Sequence, residues 1–260
     1  MSGIFDKTGS PGQQINWETR KPGVDLAKVT SIKDPDGLNR VKCKLLSEDT
    51  QMGETDWCFV MTPFGAKEHG IFFHPNVNDI VVLSYIGGDV HRPCVIGSVW
   101  TSEVTAPYKI AEEKNENFSI KTPQKSEILF VDTKDKEVIS ITTPKGSTIV
   151  ISDAEKKITV SDKEKKNHID LMLESGELTV EAEKKITLKT GKSSVTMDSE
   201  GNLSIDAKTK IAMSTATFEV KATGEAKIQA SGSATYKANG AMTVQSSAVT
   251  TVKGSMVKIN

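Results

Sequence analysis

Residues 186–205 read ITLKTGKSSVTMDSEGNLSI. Three apolar pairs stand in that stretch, Ile186/Leu188, Val195/Met197 and Leu203/Ile205, each split by one residue and set off from the next by a polar turn. Alternation with period two puts both members of a pair on the same face of a strand. The unit extends in both directions. Upstream come Ile149/Ile151, Ile158/Val160, Ile169/Leu171 and Leu178/Val180; downstream come Ile211/Met213, Phe218/Val220, Ala226/Ile228, Ala234/Tyr236, Met242/Val244, Thr250/Val252 and Val257/Ile259. From about Leu178 the pair-to-pair step settles near eight residues, a repeat. A strand that short, with two inward side chains, cannot bury a core alone. One strand and one turn per repeat is the arrangement expected when three copies wrap about a common axis, each giving one strand to every layer. The apolar pairs then meet their symmetry mates, and the shaft has no free sheet edges. The alternative, one chain forming a long amphipathic sheet, leaves such edges open. At ordinary strand spacing about a dozen repeats reach on the order of 60 Å.

The inward side chains shrink along the repeat. Leu, Ile and Val fill the early pairs, whereas Ala, Thr, Ser and Gly prevail from about Lys221, which implies a cross-section that tapers toward Asn260. The sequence closes on Met256-Val257-Lys258-Ile259-Asn260. Apolar side chains at the end of a strand call for a capping partner, so Met256, Val257, Ile259 and Asn260 are the candidate docking residues.

Composition agrees with an assembled, elongated protein. Of 260 residues 37% are hydrophobic and only 5% aromatic, lean for an enzyme core anchored by large side chains. Lysines and arginines number 33 against 34 acids, so no global field draws in nucleic acid or anionic lipid. Apolar runs such as residues 80–83 fall far short of a bilayer span, and residues 1–10 lack the pattern of a secretory signal; assembly in the cytoplasm is expected. Cys43, Cys58 and Cys94 are widely spaced and odd in number, which suits small buried side chains better than a metal or redox motif.

Ahead of the repeat the pattern differs. Residues 1–24 are punctuated by Gly3, Gly9, Pro11, Gly12, Pro22 and Gly23 and read as an irregular arm. Short β-type runs follow at 27–32, 40–46, 57–62, 80–86 and 94–100, with turn chemistry between them; about five strands in such a span suggest a small closed barrel. Asp36-Gly37 and Gly87-Gly88-Asp89 supply positive-φ turn positions, and Trp57 and Trp100 are expected to plug the barrel. From Thr101 to Pro144 the chain reads as a neck around a charged run, with strand-like pieces at 118–120 and 128–131.

Several barrel motifs also carry a resemblance. They are Asp34-Pro35-Asp36-Gly37 with Arg40 and Val41, Trp57, Gly70, the run Pro75-Asn76-Val77-Asn78-Asp79-Ile80-Val81-Val82, Gly88-Asp89-Val90-His91-Arg92-Pro93, and Val95-Ile96-Gly97-Ser98-Val99. In this order they resemble the OB-fold domain of central spike proteins from contractile phage tails and related injection systems, the baseplate assembly protein V and VgrG group. The resemblance implies an all-β chain, an OB-fold barrel followed by an intertwined trimeric β-helix or β-prism. Its divisions would be an N-terminal arm at 1–25, the barrel at 26–102, a neck or linker at 103–146 and the spike at 147–260. It implies a homotrimer assembled in the bacterial cytoplasm into the baseplate of a phage tail or injection particle, in transient contact with a target envelope, with no catalytic role and no cofactor. Some phage spikes carry H-x-H at the tip and bind iron there. No histidine stands near this C-terminus, which favours the arrangement in which a separate PAAR-type cone protein caps the prism. The large hub domain fused to the barrel in VgrG relatives is not seen here, so a separate hub or tube-initiator protein is expected at the N-terminal end.

Other functions have specific requirements. His69, His74, His91 and His168 lack metal-ligand spacing, and Gly97-Ser98 is no nucleophile elbow. An oligonucleotide-binding OB module would want a basic groove with stacking aromatics. A receptor-binding trimeric fibre or adhesin would share the shaft but usually ends in a bulky head.

Overall fold

The computed structural model describes residues 21, 23–47, 53–110 and 112–259. The expected arm lies outside them through residue 20, as does Asn260. The chain is all-β: among the described residues the only helical element is a 3-10 turn at Ile86–Gly88.

The barrel is built from β1 (Val24–Ser31), β2 (Lys42–Leu45), β3 (Phe59–Val60), β6 (Ile80–Tyr85) and β7 (Pro93–Ser98), with a small hairpin of β4 (Gly65–Ala66) and β5 (His69–Gly70) between β3 and β6. Its strands run in the order β2-β1-β6-β7-β3, antiparallel except for the parallel β3–β7 pair. A bridge from Val41 to Cys58 joins the two ends and closes the sheet on itself. Register shifts at Val29/Ser31 and Val82/Leu83 supply the bends that closure requires. Alternate residues point inward, so Ala27, Val29, Val41, Cys43, Cys58, Val81, Leu83 and Val95 form the core. Trp100 corrects the expectation of an aromatic plug: it is 69% exposed. Trp57 is half-buried under cations, with Arg40 5.9 Å and Lys42 5.6 Å from the ring centroid. The interior of so small a barrel is filled by valines, leucine and cysteines, which leaves no room for indoles.

One turn is tied with particular care. The Asp34 carboxylate accepts hydrogen bonds from the backbone N–H of Asp36 (3.1 Å), Leu38 (3.1 Å) and Arg40 (3.2 Å), and from Arg40 Nε (2.9 Å) and Nη2 (2.7 Å). Gly37 takes φ 67° at the reversal, as the Asp-Gly pair foretold. The Arg40 guanidinium, with those N–H groups, holds the Asp34 carboxyl well below the usual carboxylate range.

Seven strands form a second, antiparallel sheet in simple sequence order: β8 (Asn117–Lys121), β9 (Glu127–Val131), β10 (Val138–Thr142), β11 (Thr148–Ser152), β12 (Lys157–Ser161), β13 (His168–Met172) and β14 (Leu178–Glu181). Three of these strands lie inside the segment read as a neck. The prolines there stand within tight turns, where they aid reversal instead of breaking strands: Lys125 N–H donates to Thr122 O around Pro123, and Gly146 N–H to Thr143 O around Pro144. The linker is pinned to the sheet by Tyr108, whose hydroxyl donates to Glu127 Oε1 at 2.7 Å; burial and that carboxylate push the Tyr108 pKa up to about 12.

The remaining strands, β15 (Lys185–Thr190), β16 (Ser193–Asp198) and β17 (Leu203–Ala207), form a three-stranded sheet in the order β15-β16-β17. The pairs Val195/Met197 and Leu203/Ile205 stand opposite each other there. The repeat was expected to find its strand partners in other copies, yet through Ala207 its strands pair within the chain, in two sheets that part between β14 and β15. From 208 to 259 no strand forms among the described residues.

Candidate assembly surface

The register of the seven-stranded sheet lines up its apolar residues without a slip. One row runs Phe118, Phe130, Ile139, Ile151, Ile158, Leu171, Leu178, and the other Ile120, Ile128, Ile141, Ile149, Val160, Ile169, Val180. The sequence-read pairs from Ile149/Ile151 to Leu178/Val180 all fall in these rows. Antiparallel pairing with side chains of period two places both rows on one face. That face is open. Apart from half-buried Ile158, its members are between 37% and 65% exposed.

The opposite face is mixed: half-buried Leu129, Val131, Val138, Val150 and Met172 stand among polar side chains that satisfy one another. Asp170 takes Lys157 Nζ at 2.7 Å and the Thr159 hydroxyl at 2.8 Å, and Lys157 holds its carboxyl below the ordinary value. The hydroxyls of Thr148 and Ser161 lie 3.1 Å apart, and Ser152 and Ser161 are buried. The two faces therefore differ: one is apolar throughout and open, the other mixed and tied by polar contacts. Covering the exposed part of each row residue is worth on the order of 1 kcal/mol, so the two rows together exceed roughly 10 kcal/mol per chain. That is comparable to the whole stability of an ordinary domain.

A second exposed patch went unread in the sequence. The β4–β5 hairpin carries Phe64 (55% exposed), and Phe72 (74%) and Phe73 (68%) follow it directly. Gly70 is required at its close: at φ +149° an added Cβ would meet Phe64 O at 2.6 Å. The signal available was the aromatic density of residues 64–73, of which only Gly70 entered the barrel motif.

The described C-terminal candidates are exposed. Met256 is 84%, Val257 50% and Ile259 89% exposed, and Asn260 lies outside the described residues. The histidines serve local contacts: His74 sits between the carbonyls of Pro75 (2.9 Å) and Asn39 (3.0 Å), and His91 Nδ1 lies 2.8 Å from Asp56. Cys43 and Cys58 are core residues, and Cys94 is partly exposed. Among the described residues no cluster of three or more His, Cys, Asp or Glu side chains is placed to hold a metal ion. Among the described residues no helix is long and apolar enough to cross a membrane.

Comparison with known proteins places the barrel. Residues 25–100 match the family model of the type VI secretion system/phage-baseplate injector OB domain. Over 113 residues the chain is 25% identical to the type VI secretion system spike protein VgrG3 of Vibrio cholerae serotype O1, an alignment covering 38% of this chain and 11% of that protein. The chain thus spans about a tenth of the length of this curated relative. Both similarities take in the barrel, which is thus similar to injector OB domains.

Proposed function

We propose that this chain is the structural central spike of a contractile tail or injection particle. Three copies join the tube hub at the baseplate through their barrel ends and present the repeat as a shaft that is driven into the target envelope when the sheath contracts. A separate cone protein of the PAAR type docks on Met256, Val257, Ile259 and Asn260, and a separate hub protein meets the barrel.

The observation that carries this reading is a barrel similar to injector OB domains, followed in the same chain by a β-sheet whose two apolar rows have no cover. Each copy supplies an apolar face and needs one, which a closed threefold arrangement satisfies without leaving heterologous edges. The mechanical role follows from the same geometry. A shaft with saturated backbone hydrogen bonds and a continuous apolar axis yields only by unfolding as a unit, so it transmits axial force and dissociates slowly.

Deleting the gene and imaging the particles tests the role. Loss of complete baseplates, with sheath and tube proteins still made, is the expected result; intact particles that still breach target cells would rule the role out.

A further inference from the structure

The barrel closes at a narrow seam. Ladders of four or five residue pairs join β1 to β2, β1 to β6 and β6 to β7, whereas β2 meets the chain leading into β3 through the isolated bridges Val41–Cys58 and Lys44–Glu54. Val41 and Cys58 exchange both backbone hydrogen bonds, Val41 N–H to Cys58 O at 3.0 Å and Cys58 N–H to Val41 O at 2.7 Å. Residues two apart on a strand share a face, so Cys43 lies on the inward side, diagonal to Cys58 across the seam. Both side chains are fully buried in the same core.

Thr55 draws the two together. Its N–H donates to Cys43 O at 2.8 Å, its hydroxyl accepts from Cys43 N–H at 3.1 Å, and the same hydroxyl lies 3.2 Å from Cys58 Sγ. The two thiols are also hydrogen-bonded to each other. That bond, with burial, pushes the Cys43 thiol above its ordinary range, and the same bond draws Cys58 below it, so Cys58 is the readier nucleophile. Cys94 stands apart: its neighbour Val95 belongs to the core, which turns Cys94 to the outer face of the barrel. Two thiols in contact across adjoining strands are placed for a covalent link, which their spacing in the sequence does not reveal.

We propose that Cys43 and Cys58 form a disulfide that staples the barrel seam when the protein meets a low-molecular-weight disulfide such as oxidised glutathione. The Cys58 thiolate attacks one sulfur of the reagent and releases one glutathione thiolate. The Cys43 thiol then gives its proton to solvent, and its sulfur displaces the second glutathione from the mixed disulfide. Two protein thiols are thereby oxidised to one S–S bond, and one glutathione disulfide is reduced to two thiols. Because both sulfurs are buried, the first attack occurs while the seam, held by few backbone bonds, is locally parted. A reducing cytoplasm keeps the dithiol through assembly, and an oxidising exterior closes the link. That timing rests on the injection-particle reading; the bond itself rests on the barrel alone.

The link closes a loop of about 15 residues and should lower the barrel's unfolding constant on the order of 100-fold. Full-length protein, kept folded in excess oxidised glutathione, is alkylated and mapped by mass spectrometry, then unfolded in urea with and without reductant. The peptides bearing Cys43 and Cys58 should be joined, the chain lighter by two hydrogens and Cys94 alkylated. The unfolding constant should fall as stated and recover on reduction. In Cys43→Ala, which removes one sulfur and little volume, the gain in stability should vanish. Free thiols at both positions, separate glutathione adducts on each, a link made only after unfolding, or a gain that persists in Cys43→Ala overturns the proposal. Sedimentation of the same sample separates the two readings: a trimer with free Cys43 and Cys58 removes the disulfide alone, and a monomer carrying the link removes the spike reading alone.

Discussion

Phe118 on β8 stands directly opposite Phe130 on β9, and both rings are exposed, 49% and 44%, at the head of an apolar row that continues unbroken to Leu178. A ring pair of this kind is normally found beneath a second layer. The row gives the first prediction. Ile139→Asp puts a charge in the middle of the face, where it is solvated in a separate chain but buried in an assembly. Three uncompensated carboxylates about one axis should cost several kcal/mol. The variant should keep its β-type circular dichroism and lose trimer mass in sedimentation; an unchanged trimer would show that this face does not lie inside the assembly.

The barrel should depend on Leu83, which is fully buried among Val29, Val81 and Val95. Leu83→Ala removes most of that side chain from a site with little freedom to collapse, and a loss of about 2–5 kcal/mol is expected from urea unfolding of the barrel transition.

Acid should act through the Asp34 turn. Its carboxyl is held well below the ordinary value of about 3.9, chiefly by the Arg40 guanidinium. A depressed folded-state pKa contributes stability that is fully present above the unfolded value and lost as pH falls through the folded one. Barrel stability should therefore fall as pH drops from about 4 toward 2. Asp34→Asn should be less stable at neutral pH and have a shallower acid branch, a difference that thermal melts along a pH series would reveal.

Docking at the C-terminal end can be probed by truncation after Gly254, which removes Met256, Val257, Ile259 and Asn260 together. The shortened chain should still assemble, because the apolar rows are intact, and should no longer co-purify with a co-expressed cone protein. Retained binding would move the docking site elsewhere.

Much of this architecture was legible because side-chain alternation reports directly on strand faces. Every pair from Ile149/Ile151 to Leu178/Val180 stands in the observed rows, and Asp36-Gly37 and Gly87-Gly88 turn where expected. Trp100 was misread because a large aromatic residue after a β-run suits a plug or a surface equally, and only the small size of the closed barrel decides. The identity of each strand's partner was the harder matter. An apolar pair looks the same whether its neighbour is its own chain or another, and the difference lies in turns such as Thr122-Pro123-Gln124-Lys125, where a non-glycine residue takes the left-handed conformation. The exposed rings of Phe64, Phe72 and Phe73 stand in a stretch without period-two alternation, so the sequence pattern assigns them no face.

The central claim is that the open face of the seven-stranded sheet is closed by two further copies of the chain. Sedimentation equilibrium of the purified full-length protein tests it most directly: a mass three times the 28.2 kDa chain, stable on dilution, is the expected result. A single species at the mass of one chain would contradict it.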